Sequence, residues 1–340
     1  MRTIYPESSP SKDVLLLKNI LHIHGNLVTI DNVYDSATIN LIKEFQTQNG
    51  LVVDGVVGSN TWEKLIDSKI RFNVKDSISY LPKSEYLVEW SLKDTIFLHH
   101  TVGGYQADKT ISYWLNDGQS KPWRVGTAYV ISGQSRKGDK SYDGEIHSAF
   151  RPYHFAHHLG LKKIHNNTSS EDNYQLNKKS IGVELCSFGP LKKVNGKYFS
   201  VEYPEKDFLE DQVCDLGYKW RGYQYFHKYS QKQLDSLEEL ILNISIIFNI
   251  KIDDNVYDKN WFDLKYNSLK GIPGIWTHSN VRYDKTDCYP DLDLINMLNG
   301  LHFKSKTFKP TYSLEKDLSP KSFVPLDGTE NYCKDLNDSL

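Results

Sequence analysis

The chain has 340 residues, of which 39% are hydrophobic and 25% charged. That is enough apolar material for a sizeable buried core and points to two domains, excluding a disordered or fibrous chain. Forty-one Lys and Arg against 43 Asp and Glu leave a formal net charge of -2, so no global basic field argues for nucleic acid or anionic lipid as a partner.

In chain order, the N-terminus MRTIYPESSPSKD has no basic region followed by an apolar core, which predicts synthesis in the cytoplasm without a secretory signal. Residues 14–22 and 37–45 place Val14, Leu17, Ile20 and Leu21, then Ile39, Ile42 and Phe45, at spacings of three and four. Both read as amphipathic helices. Gly50, Asp54, Gly55 and Gly58 mark turns, and Ser59 or Asn60 caps a third short helix that buries Trp62 and Leu65. A three-helix domain is expected over 1–70, with a connector over 71–90, carrying at most one strand, where the apolar periodicity fades.

Short β-like runs follow at 95–101, 126–132, 144–150, 180–188 and 274–281, separated by helical or loop segments. This alternation predicts a mixed α/β domain over 91–302, its central sheet flanked by helices. The clearest helix spans 231–248, with Leu234, Leu237, Leu240 or Ile241, Ile244 and Phe248 on one stripe; another carries Leu292, Ile295 and Leu298. Leu240 to Ile250, the most apolar run, is about half of the ~20 residues that cross a bilayer, so membrane insertion is not expected. Residues 189–226 lack clean periodicity and read as a surface insertion; 303–340 offers little to bury and reads as an extended tail. Cys186, Cys214, Cys288 and Cys333 form no C-x-x-C pair, which argues against a thiolate-rich zinc site or a disulfide framework.

Several residues could carry chemistry. His99 and His100 end an apolar strand, and strand alternation lets only one of them face a given site. His278 ends a second such strand, and Asp287 follows nine residues later. Two histidines and a carboxylate leave a fourth position open on Zn(II), the ligand set of a catalytic zinc, although strand-end histidines also serve as polar caps. Glu184, mid-strand among apolar residues, is either a general base with a pKa raised by burial or an edge-strand carboxylate facing water. Lys285 could stabilise an oxyanion or be a solvated charge. His154, His157 and His158 form an H-x-x-H-H cluster with no carboxylate in register, which favours a substrate-contacting loop over a second metal site. Trp62, Trp114, Trp123 and Trp276 read as core.

The segments IFLHHTVGG, GTAYVIS, FAHHLG, KKSIGVELCSFGPL and THSNVRYDKTD, in that order, resemble the zinc-dependent N-acetylmuramoyl-L-alanine amidases of the amidase-2 type, a family with phage lysins, anhydro-muropeptide amidases and peptidoglycan recognition proteins. The resemblance implies one zinc ion held by His99, His278 and Asp287, Glu184 activating water, Lys285 stabilising the oxyanion and His158 contacting substrate. Thr127 stands where some members carry a catalytic Tyr, which shifts the base role onto Glu184 and leaves Thr127 as a substrate contact. Members usually have Pro directly after the third ligand; here Cys288 and Tyr289 precede Pro290, so Cys288 stands as an alternative ligand.

FQTQNGLVVDGVVGSNTWEKL is similar to the three-helix peptidoglycan-binding domain, matched at Phe45, Gln46, Gly50, Leu51, Asp54, Gly55, Gly58, Thr61, Trp62 and Leu65. The two resemblances together imply a peptidoglycan hydrolase acting at the bacterial wall after release, with a phage endolysin favoured. The rivals are a recognition protein that binds peptidoglycan without cleaving it and a wall-penetrating component with virion or secretion-machine partners.

Overall fold

Three helices open the chain: α1 (Lys12–Ile23), α2 (Ser36–Gln48) and α3 (Ser59–Ile66). The side chains of Ser11 and Asp35 accept from the backbone N–H of Val14 and Thr38, satisfying donors that the first helical turn leaves open. Val14, Leu17, Ile20, Leu21, Ile42, Trp62 and Leu65 close one apolar core with Ile4 and Val57. The motif residues around the turn are structural. Gln46 Oε1 accepts from Gly55 N at 2.9 Å, and its amide donates to Asp54 and to the Val56 carbonyl, each at 2.9 Å. Fully buried Lys18 is compensated by Asp31 and Asp35, both at 2.7 Å, as a buried charge requires.

The computed structural model describes residues 3–24, 26–66, 69–72, 76–78, 81–89, 91–115, 124–161, 169–252, 255–309 and 312–315. Two short strands, one more than expected, lie across the expected boundary at 70 and in the connector after it. β1 (Lys69–Phe72) pairs antiparallel with residues 312–315 of the expected tail, and β2 (Asp76–Ile78) is the edge strand of the main sheet. Strands of three or four residues are too short to display an alternating pattern. Residues 316–340, with Cys333, lie outside the described residues, as does Trp123.

The main sheet continues with β3 (Thr95–His100), then α4 (Ala107–Leu115), β4 (Tyr129–Ile131), β5 (Ile146–Ser148), α5 (Ser170–Lys179) and β6 (Ser180–Leu185). After an inserted sheet come α6 (Gln231–Ile247), α7 (Tyr266–Leu269), β12 (Gly274–Thr277), α8 (Leu292–Ser305) and β13 (Tyr312–Glu315). The six-stranded order is β12-β3-β6-β4-β5-β2, with β12, β3, β6 and β4 mutually parallel. Ile96, Leu98, Val183 and Leu185 share one core with the apolar stripes of α6 and α8. Phe97 and Trp276 belong to a separate cluster with Leu159, Leu161, Leu176 and Val281. Alternation along β3 therefore puts Phe97 and His99 on one face and Leu98 and His100 on the other.

The insertion is itself a sheet: β7 (Pro190–Val194), β8 (Lys197–Ser200), β9 (Asp207–Phe208), β10 (Val213–Trp220) and β11 (Tyr223–His227), ordered β10-β11-β7-β8-β9 and antiparallel throughout. Phe188, Leu191, Tyr198 and Phe208 give it a small core. Two of its hairpins turn at Asn195-Gly196 and Arg221-Gly222, with all four residues at positive φ. These mirror-image turns match the twist of the strands they join.

Candidate active site

The site lies at the carboxyl ends of the parallel strands. His99 is near the end of β3, its cross-strand partner on β6 is Glu184, and His278 follows the last residue of β12. Thr277 and Asn280 hold the turn that carries His278: Asn280 Oδ1 accepts from Thr277 N at 2.7 Å, and its amide donates to the carbonyls of Asp263 and Trp261. Ser279 N–H donates to the Asp287 carbonyl at 2.9 Å, which brings Asp287 back beside His278. Among the described residues, His99, His278 and Asp287 form the one group able to hold a metal ion, their ligating atoms all within 4.8 Å of one another and all three residues buried.

Hydrogen bonds set the proton positions. The Leu159 carbonyl can only accept, so His278 Nε2, 2.9 Å away, carries a proton and Nδ1 is the nitrogen turned to Asp287. Ser180 Oγ donates to the Leu176 carbonyl at 2.6 Å and so accepts from His158 Nε2 at 2.9 Å. His158 Nδ1 is then bare and accepts from His99 Nε2 at 2.9 Å, leaving His99 Nδ1 bare. The two Nδ1 atoms stand 3.1 Å apart, at 3.2 and 2.9 Å from Asp287 Oδ2. Two imidazole nitrogens and a carboxylate thus converge on one point, as the donors of a metal ion do. Partners on the far ring nitrogens are how metal-binding histidines are oriented, so the donor set fits zinc. Burial, then the His278 ring, pushes His99 down to about 4 and keeps it neutral. Burial alone would raise Asp287, but His278 and His99 hold it well below the usual carboxylate range.

Glu184 is half-buried on the floor of a cleft whose walls include Thr101, Tyr105, Trp114 and, from the inserted sheet, Tyr203. Burial lifts its carboxyl to about 8; the nearby Asp287 charge adds to the rise and Lys285 opposes it. Lys285 and Asp287 line an adjoining groove with Val102, Tyr283 and the insertion residues Arg221 and Tyr223. The two depressions share Val102, and the inserted sheet walls both.

The structure thus brings His99, His278, Asp287, Glu184 and Lys285 together. His158, read from the sequence as a substrate contact, is half-buried and has its ring nitrogens engaged by His99 and Ser180, which orients the His99 ring. Thr127 is 1% exposed and offers no surface to a ligand: it packs behind Gly182, and its hydroxyl donates to the Tyr129 carbonyl at 3.0 Å. Cys288 is buried outside the metal-competent group, its thiol against Tyr229. His100 faces away from the site, with Nδ1 2.8 Å from the Tyr229 hydroxyl. Trp62 and Trp276 are buried as expected, whereas Trp114 is half-buried and lines the cleft. Asn280, Ser180 and Arg221 are supporting residues that spacing did not reveal; for Asn280 the signal was its place in the T-H-S-N turn.

The family model for N-acetylmuramoyl-L-alanine amidase matches residues 91–290, and that for a peptidoglycan binding domain matches residues 10–65. The chain belongs to the N-acetylmuramoyl-L-alanine amidase family and carries a peptidoglycan-binding module at its N-terminus. Similar solved structures include the amidase LysC from Clostridium intestinale URNW, at 13% identity over 68% of this chain and 97% of that one, TM-score 0.33. A mutant endolysin from Bacillus subtilis shares 14% identity over 67% of this chain and 99% of its own, TM-score 0.36. The hydrolase AmiA of Staphylococcus aureus, solved with its ligand, shares 12% over 78% and 92%, TM-score 0.36. No curated protein matches. Among the described residues, no helix is long and apolar enough to cross a membrane.

Proposed function

We propose that this protein is a zinc-dependent peptidoglycan amidase that hydrolyses the bond between the lactyl group of N-acetylmuramic acid and L-alanine of the stem peptide. The observation that carries the reading is the convergence of His99 Nδ1, His278 Nδ1 and the Asp287 carboxylate within the family-matched segment, with Glu184 the cross-strand partner of His99. Zinc bound there supplies a Lewis acid that polarises the scissile carbonyl and acidifies a water toward pKa ~7. Glu184, in its ionised form, takes the proton of the attacking water and returns it to the departing L-alanine nitrogen. The Lys285 ammonium stabilises negative charge on the former carbonyl oxygen. His158 keeps the His99 ring in the tautomer that presents Nδ1, and Asn280 fixes the turn that presents His278.

The N-terminal module holds the enzyme on the polymer and raises its effective concentration there. A module for an insoluble polymer favours a lysin, such as a phage endolysin, over an enzyme of soluble muropeptide recycling, which needs no anchor. The deciding experiment is mass spectrometry of purified sacculi digested with and without a chelator. New L-alanine amino termini that vanish with the chelator are expected; sacculi bound but uncut would make this a recognition protein.

A further inference from the structure

The insertion places one residue against the site loop in a way that the amidase reading does not require. Arg221 sits at the tip of the β10–β11 hairpin, in a two-residue turn with φ of 48° at Arg221 and 90° at Gly222. An arginine at positive φ is unusual, since its Cβ crowds the backbone there. Its half-buried guanidinium leaves the inserted sheet and donates to three carbonyls of one segment: Nη2 to Ser279 at 2.9 Å, Nη1 to Arg282 at 2.7 Å and to Lys285. That segment runs from His278 to Asp287, so it contains two of the three metal donors and Lys285 itself. The guanidinium also lies 4.9 Å from the Trp220 ring, and the Trp220 indole N–H donates to Asp263 at 3.3 Å.

We propose that Arg221 is a positioning residue and that the inserted sheet acts as a clamp on the metal-ligand loop. Asn280 anchors the start of the loop from the Trp261–Asp263 side, and Arg221 anchors its middle from the insertion side. A guanidinium suits the task because its fixed, planar donors reach several acceptors at once, which a lysine ammonium on a flexible stem does not. The clamp sets where Asp287 and Lys285 stand relative to His99. This inference rests on His99, His278 and Asp287 being the metal ligands.

The test uses the full chain with Arg221→Asn, which keeps a residue tolerant of positive φ in the turn, and Arg221→Lys, which keeps the charge without the fork. Zn(II) affinity is measured by competition with a chromophoric chelator, the Co(II) visible spectrum reports coordination geometry, and apo-protein melting reports the fold. Arg221→Asn is expected to weaken Zn(II) binding by about 10-fold or more and to change the Co(II) bands, with Arg221→Lys intermediate and apo melting close to wild type. Wild-type Zn(II) affinity and Co(II) spectrum in either variant would overturn the clamp. So would an affinity loss matched by a large drop in apo melting temperature, since that is general destabilisation. His278→Ala is the control: if it binds Zn(II) as tightly as wild type, the ligand assignment fails, whatever Arg221 does.

Discussion

Glu184 and His99 are cross-strand partners in the parallel β3–β6 pair, so their side chains rise from the same face of the sheet. A carboxyl lifted to about 8 thus stands one strand away from a neutral imidazole that presents a bare nitrogen. Replacing Glu184 with Gln keeps the shape and removes the base. Turnover on a soluble muropeptide should fall by about three orders of magnitude or more, within the range of general acid–base contributions. Zinc content, measured by atomic absorption, should stay at one ion per chain. An active Glu184→Gln enzyme would end the base assignment.

The same burial predicts a stability signature in metal-free protein. The carboxyl of Glu184 titrates near 8 in the fold against an ordinary 4.5, so between those values the native state holds a proton that the unfolded chain has lost. Stability from this group is intact below about pH 4.5 and is lost progressively as pH rises through about 8. Apo Glu184→Gln should therefore melt above apo wild type at pH 8, and the two should converge near pH 4. A difference that does not vary with pH would assign the effect to packing.

His158 donates to Ser180 and accepts from His99, and it should matter through the metal. His158→Ala removes the acceptor that fixes the His99 tautomer, and zinc affinity should drop by about 10- to 100-fold. Chelator competition reads this directly. Excess zinc should restore much of the activity, whereas a lost substrate contact would raise KM at every zinc concentration.

Zinc should also stabilise the fold, because its donors are brought together only in the native state. At free zinc about 1,000 times its Kd the gain is about 4 kcal/mol, and EDTA should lower the melting temperature accordingly. Asp287→Ala should abolish both the gain and the EDTA effect.

Trp62 is 3% exposed in the core of the N-terminal module. Trp62→Ala should cost that module about 3–5 kcal/mol. Activity on sacculi should fall sharply while cleavage of a small soluble muropeptide is kept. Equal losses on both substrates would remove the targeting role.

Much of this was legible in one dimension because the determinants are local. The helices of the N-terminal module follow from apolar spacing and capping residues, and the parallel strands from apolar runs ending in His99 and His278. The five-stranded insertion was missed, although Asn195-Gly196 is a hairpin turn signal; strands of two to eight residues with mixed burial blur the alternation. His158 and Thr127 were read as substrate contacts by analogy with motifs; Thr127 turns out to be buried, and the half-buried His158 has both ring nitrogens engaged by His99 and Ser180.

By itself, the amino-acid sequence determined the element types, the order of the motifs and the chemical kinds of donor available, since those depend on spacing and side-chain identity. Only the tertiary structure decided that His99 rather than His100 faces the site and that Asp287 rather than Cys288 completes the donor set. It also decided that Arg221, 64 residues from Lys285, reaches the loop carrying both Asp287 and Lys285. Strand pairing and hydrogen-bond direction fix those choices, and both arise between segments far apart in the chain, where no local pattern records them.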